Sequence, residues 1–226
     1  MVDVNRLQLN TRRYEFSDGL RDFQSALWLL IIGVLMWIGI DFQSVWLPPM
    51  RSLQDTFGNV VAAVLIFGVV FGAMLIFAKG SLSLINVYLR RRWLWRETGI
   101  ITAQAWPIPR SALLTSFGII LLVFLIGFWL AQQLGDGWII LRAVAFGTGL
   151  ASGYQYLILA HRLQWTRYRL VALLGVIGTV LIIILPIKFG LMGLLVSLLW
   201  AVLLVSNGVY ALRQFLIFRR EMADAA

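Results

Sequence analysis

The sequence predicts an all-α integral membrane protein, a bundle of six transmembrane helices with both termini in the cytoplasm. The first observation is composition: 61% of the 226 residues are hydrophobic, 13% are charged, and the mean hydropathy is +0.87. Soluble domains usually carry about 25% charged residues, so a soluble core could not bury this much apolar surface. The other two observations are the length of the apolar segments and the placement of the basic residues.

Six segments are long and apolar enough to be considered as spans. A transmembrane helix needs roughly 20 mostly apolar residues. Two of the six are shorter, and their flanks can lengthen them. The segments cover residues 25–40, 59–78, 112–132, 138–159, 170–185 and 191–212.

The basic residues alternate between the two sides of the predicted bundle. Sixteen of the 19 lie in residues 1–24, in the loop 79–111, after the fourth segment, and in the tail 213–226. Arg51, Arg142 and Lys188 remain for the other side. Because basic loops are retained in the cytoplasm, this asymmetry predicts a multi-pass protein of the cell membrane with both termini inside.

The domain organisation follows from these segments. Residues 1–24 form a cytoplasmic segment whose end can be an interfacial helix, residues 25–212 form the transmembrane domain, and residues 213–226 form a cytoplasmic tail. The spans also read as three helical hairpins, each with an outward helix, an external turn and a returning helix. Pro48 and Pro49 are predicted at a helix end, because proline removes a backbone donor from a helix interior.

The stretch "VYLRRRWLWRETG" marks the cytoplasmic boundary in the loop 79–111. Arginines suit anionic lipid headgroups, and tryptophan rings suit the headgroup layer. The predicted topology already explains why basic residues stand at these positions, so nucleic acid is not a predicted partner. The predicted headgroup contacts are Arg90, Arg91, Arg92, Trp93, Trp95 and Arg96.

Catalytic and metal-binding patterns are missing from the sequence, which predicts a protein that is not an enzyme and has no cofactor or metal. There are no cysteines and a single histidine, His161. It lies nine residues after Ser152, and at about 100° per residue the two fall on opposite faces of one helix. The motif Gly149-x-x-x-Gly153 around Ser152 predicts close helix packing instead.

Uncharged polar residues near the inner ends of the returning helices form the candidate binding site, together with one outer arginine. Polar groups in lipid need partners, so they face protein or a water-filled cavity. One hypothesis is a transporter-like or channel-like protein that handles a small solute or lipid through a polar cavity facing the cytoplasm. The alternative is a non-catalytic subunit or scaffold, whose partners are a second copy of the chain or other membrane subunits. The candidate binding residues are Asn86, Arg142, Gln155, Tyr156, Asn207 and Tyr210.

Overall fold

The computed structural model describes residues 16–58 and 108–224, together with residues 72, 73, 76, 77, 80, 81, 84, 88 and 89 between them. All regular structure in this part of the chain is helical, which confirms the predicted all-α class. The helices are α1 (Leu20–Asp41), α2 (Gln43–Phe57), α3 (Arg110–Leu134), α4 (Trp138–Leu163), α5 (Thr166–Ile184) and α6 (Phe189–Asp224).

Four of these helices are long and apolar enough to cross a membrane. They are α1, α3, α5 and the Phe189–Ile217 part of α6. The prediction of a membrane protein with several transmembrane helices is therefore confirmed for these four helices. The predicted second span, residues 59–78, lies outside the described residues apart from 72, 73, 76 and 77, which are helical.

Helix α4 covers the predicted fourth span but is not among the four membrane-length apolar helices. It packs against three other helices of the first unit, α3, α5 and α6. Its small residues allow these close contacts: Gly147 lies against α3, while Gly149 lies against Thr179 and Gly153 against Val176 of α5. On the face that packs against other helices, α4 can carry polar residues that a lipid-facing surface could not. The predicted packing role of Gly149-x-x-x-Gly153 is confirmed.

The chain divides into two compact units. Residues Met1–Trp37 and Ile101–Ala226 form the first, and Ile38–Ile100 form the second. Helix α2 belongs to the second unit and contains Pro48 and Pro49 in its interior, so their predicted place at a helix end is wrong. The carbonyls that these prolines leave without a helical donor belong to Ser44 and Val45. Both residues are exposed, so solvent can reach them.

Two helices extend past the boundaries expected from hydropathy. Helix α1 begins at Leu20 rather than near residue 25, after Gly19, which has a φ of 71°. Helix α6 has 36 residues, or about 54 Å at 1.5 Å per residue, against about 30 Å of hydrocarbon core. The first turn of α1 and the last turns of α6 therefore carry polar residues of the predicted segments 1–24 and 213–226.

Candidate functional site

The carboxylate of Asp22 connects three helices of the first unit. Asp22 lies on α1 and is only 3% exposed. The Tyr168 hydroxyl of α5 donates to it, at 2.9 Å from Oδ1 and 3.2 Å from Oδ2. The Asn207 amide of α6 donates to Oδ2 at 2.7 Å. Because a buried carboxylate is costly without such donors, α1, α5 and α6 are held together at this point.

The aromatic and basic residues around Tyr168 fix the position of its ring. The Tyr168 ring stacks on Tyr156 of α4 at 6.1 Å and on Trp165 at 6.1 Å. The guanidinium of Arg167 lies 4.1 Å from the centroid of the Trp165 ring, and its Nη2 donates to the Phe16 carbonyl at 3.0 Å. These contacts leave the Tyr168 hydroxyl directed at Asp22.

A close approach of two backbones positions Asp22. Gly19 lies against Gly208 of α6, the residue that follows Asn207. The Gly19 carbonyl accepts a hydrogen bond from the Asp22 N–H at 3.0 Å, at the start of α1. The Asp18 side chain accepts the Leu20 N–H at 3.1 Å. The start of α1 is thereby placed where Asp22 reaches Asn207.

A cavity of about 120 Å³ lies beside Asp22. On this scale one water molecule needs about 10–15 Å³, so the cavity has room for several waters. Its polar wall can exchange hydrogen bonds with water or with a small polar molecule. The lining residues are Phe16, Arg21, Asp22, Ser25, Ile108, Gln155, Tyr156 and Leu159.

The predicted binding residues fall into separate places. Gln155 and Tyr156 border the cavity beside Asp22, and Asn207 donates to Asp22. Tyr210 is 55% exposed, and Arg142 borders a different cavity. Asn86 lies outside the described residues, as do all the predicted headgroup contacts: Arg90, Arg91, Arg92, Trp93, Trp95 and Arg96.

Asp22 is the residue that sequence reasoning missed, because it stood in the segment assigned to the cytoplasm. A signal for it exists in the sequence. Positions 22, 26 and 33 lie on one face of a helix by their spacing, and Asp22, Ala26 and Gly33 are all buried. An acidic residue in line with the packed face of an apolar helix indicates an interhelical polar contact.

No protein-family model, curated protein or solved structure matches the chain. Its described helices are those of a multi-pass membrane protein. The functional argument for this membrane protein therefore rests on the polar residues between its helices.

We expect loss of either donor to Asp22 to weaken the bundle. Hydrogen bonds between transmembrane helices contribute about 0.6 kcal/mol on average and up to about 1.7 kcal/mol. Because this acceptor is a buried carboxylate, Tyr168→Phe and Asn207→Leu should each fall near the upper value. Thermal melting in detergent measures the loss. Tyr210→Phe, at an exposed tyrosine, is the matched control, and equal melting of Tyr168→Phe and Tyr210→Phe would contradict the assignment.

Proposed function

We propose that the protein is a transporter-like or channel-like protein of the cell membrane, with six spans and both termini in the cytoplasm. In this proposal a small solute or ion enters the cavity beside Asp22 from the cytoplasm. Support for six spans comes from α1, α3, α4, α5 and α6, which cover five of the six predicted segments. Support for the orientation comes from the basic residues, 16 of which lie on one predicted side.

The observation that carries the proposal is Asp22 itself. It lies in the first turn of a membrane-length apolar helix, is almost fully buried, and borders a cavity. Ionisable groups within membrane spans are costly and usually belong to solute paths, ion paths or proton relays. The cavity gives water or a small solute direct access to this carboxylate, which a solute or proton path requires.

The size and lining of the cavity restrict what it can hold. About 120 Å³ is well below the roughly 300–1,000 Å³ of sites for drug-sized ligands. Asp22 and Arg21 contribute opposite charges to the wall, and Arg21 Nη1 also donates to Gln24 at 3.1 Å. A proton carried by water and Asp22 fits this space, as does a polar solute of a few heavy atoms. Protons are therefore the first probe.

Proton movement tests the proposal in liposomes that contain pyranine and are energised by a potassium gradient with valinomycin. We expect the wild-type protein to acidify or alkalinise the lumen faster than empty liposomes do. Asp22→Asn should reduce that rate by roughly 10²-fold, by analogy with the lower end of the effect of a positioned acid or base on proton transfer in catalysis. Asp136→Asn is the matched control, because Asp136 is exposed and its Oδ1 accepts a local hydrogen bond from the Trp138 N–H at 2.9 Å.

The outcomes separate the proposal from the alternative. If wild-type liposomes match empty ones, or if Asp22→Asn moves protons as wild type does, Asp22 does not carry protons. The same variants are then compared for uptake of small amino acids and alkylamines. Absence of Asp22-dependent uptake across that panel would contradict transport and favour a subunit or scaffold that packs against other membrane proteins or a second copy.

A further inference from the structure

A second cavity, of about 380 Å³, lies at the other end of α4. It is formed by the first turns of α4 and by the turn between α5 and α6. Arg142 lines it from α4 and Lys188 lines it from the turn, with Trp138 at its edge. Arg142 precedes Gln155 by 13 residues, or about 20 Å along the helix, so this cavity is distinct from the one beside Asp22.

The charge of this cavity is positive. Arg142 and Lys188 are its two ionisable lining residues, and neither side chain makes a hydrogen bond or an ion pair with a described residue. The nearest acid along the chain, Asp136, is not among the lining residues. Two cations that converge on one cavity attract an anion, and an arginine and a lysine together suit phosphate oxygens.

The surroundings of the cavity match the edge of a membrane. Trp138 is 59% exposed, as is usual for tryptophan at the headgroup level. Large apolar side chains are exposed on the neighbouring ends of α3 and α5, where acyl chains would lie: Leu134, Ile184 and Leu185. An anion with an apolar tail is the ligand that satisfies both the cations and this surface.

We infer that this cavity binds the phosphate of an anionic phospholipid, with Arg142 and Lys188 as its two contacts. By the predicted topology, this lipid belongs to the outer leaflet. The inference does not depend on transport through the cavity beside Asp22. It also gives Arg142 and Lys188, two of the three basic residues on the predicted outer side, a common ligand.

Native mass spectrometry of the purified protein in mixtures of phosphatidylglycerol and phosphatidylcholine tests this inference. Each cation near an anionic lipid contributes about 1 kcal/mol, or about fivefold in affinity. We therefore expect Arg142→Gln and Lys188→Gln each to weaken phosphatidylglycerol binding about fivefold, and the double variant about 30-fold. Arg169→Gln, an exposed arginine on α5 that does not line this cavity, is the matched control and should weaken binding less than either variant does.

Thermal melting supplies the second measurement. In phosphatidylcholine nanodiscs the variants should melt as wild type does, which shows that they are folded. Phosphatidylglycerol should raise the melting temperature of wild type and of Arg169→Gln, and raise that of the double variant much less. A full rise in the double variant would overturn the inference. If inorganic phosphate in phosphatidylcholine nanodiscs gives the same rise as phosphatidylglycerol, the ligand is a free anion and the lipid assignment is wrong.

Discussion

Gly19→Ala is expected to lower the free energy of unfolding by roughly 2–5 kcal/mol. Gly19 has a φ of 71°, and the left-handed region costs other residues about 1–2 kcal/mol. Its Cβ would also meet the carbonyl oxygen of Gly208 and lie 2.9 Å from the Gly208 Cα. Such overpacking costs about 1–3 kcal/mol, and backbone atoms cannot rotate away. The start of α1 would move, and Asp22 with it.

Gly135→Ala is the matched control for this prediction. Gly135 has the same φ of 71°, but no atom lies within 4 Å of the position of its Cβ. It should therefore show the conformational cost alone, about 1–2 kcal/mol. Melting in detergent, with unfolding by added denaturing detergent as a second measure, compares the two variants. An equal loss in both would mean that Gly19 does not lie against Gly208.

Trp200→Ala is expected to cost about 3–5 kcal/mol, the range for removing a large buried aromatic side chain. Trp200 is 2% exposed and lies on α6. Its ring stacks on Tyr156 at 5.7 Å and lies flush against α5, since a Cβ on Gly175 would be 2.5–2.7 Å from its atoms. Its Nε1 donates to the Thr179 hydroxyl at 3.1 Å. Removing the ring leaves a cavity between α4, α5 and α6.

Trp129→Ala is the control for Trp200→Ala, because it removes the same side chain from an exposed position. Trp129 lies on α3 and is 60% exposed. We expect the loss of the Trp129 side chain to change the melting temperature little in detergent, since lipid or detergent covers that face of α3 in wild type and in Trp129→Ala. If Trp129→Ala destabilises as much as Trp200→Ala, the packing of the helices around α6 is different from that described.

Both large effects concern the residues that hold the site together. Gly19 positions Asp22 against Asn207, and Trp200 supports Tyr156, which borders the cavity. Either variant should therefore also reduce any activity that depends on Asp22. Comparing activity per folded molecule in Trp200→Ala and Asp22→Asn separates loss of the scaffold from loss of the carboxylate.

The membrane class, the helical secondary structure and most span positions were predictable from the sequence. They follow from local properties: apolar run length, and the spacing of small residues such as Gly149 and Gly153. Helix boundaries were less predictable. A hydropathy-based segment stops at the first polar residues, whereas the helix itself can continue through them. The polar start of α1 at Leu20 and the helical tail of α6 show this difference.

The composition of the site was decided by tertiary structure. Asn207, Gln155 and Tyr156 were visible as polar residues in apolar segments, but their common neighbour Asp22 lies 133 residues or more away from each in the chain. The two outer cations were visible as well, yet nothing in the sequence placed Arg142 and Lys188 at one cavity. Periodicity within a helix reports which face is buried, whereas the partner of that face depends on how the helices pack. The approach of Gly19 to Gly208 determines the partner of Asp22. Two glycines let the backbones come close enough for the Asp22 carboxylate to reach Asn207.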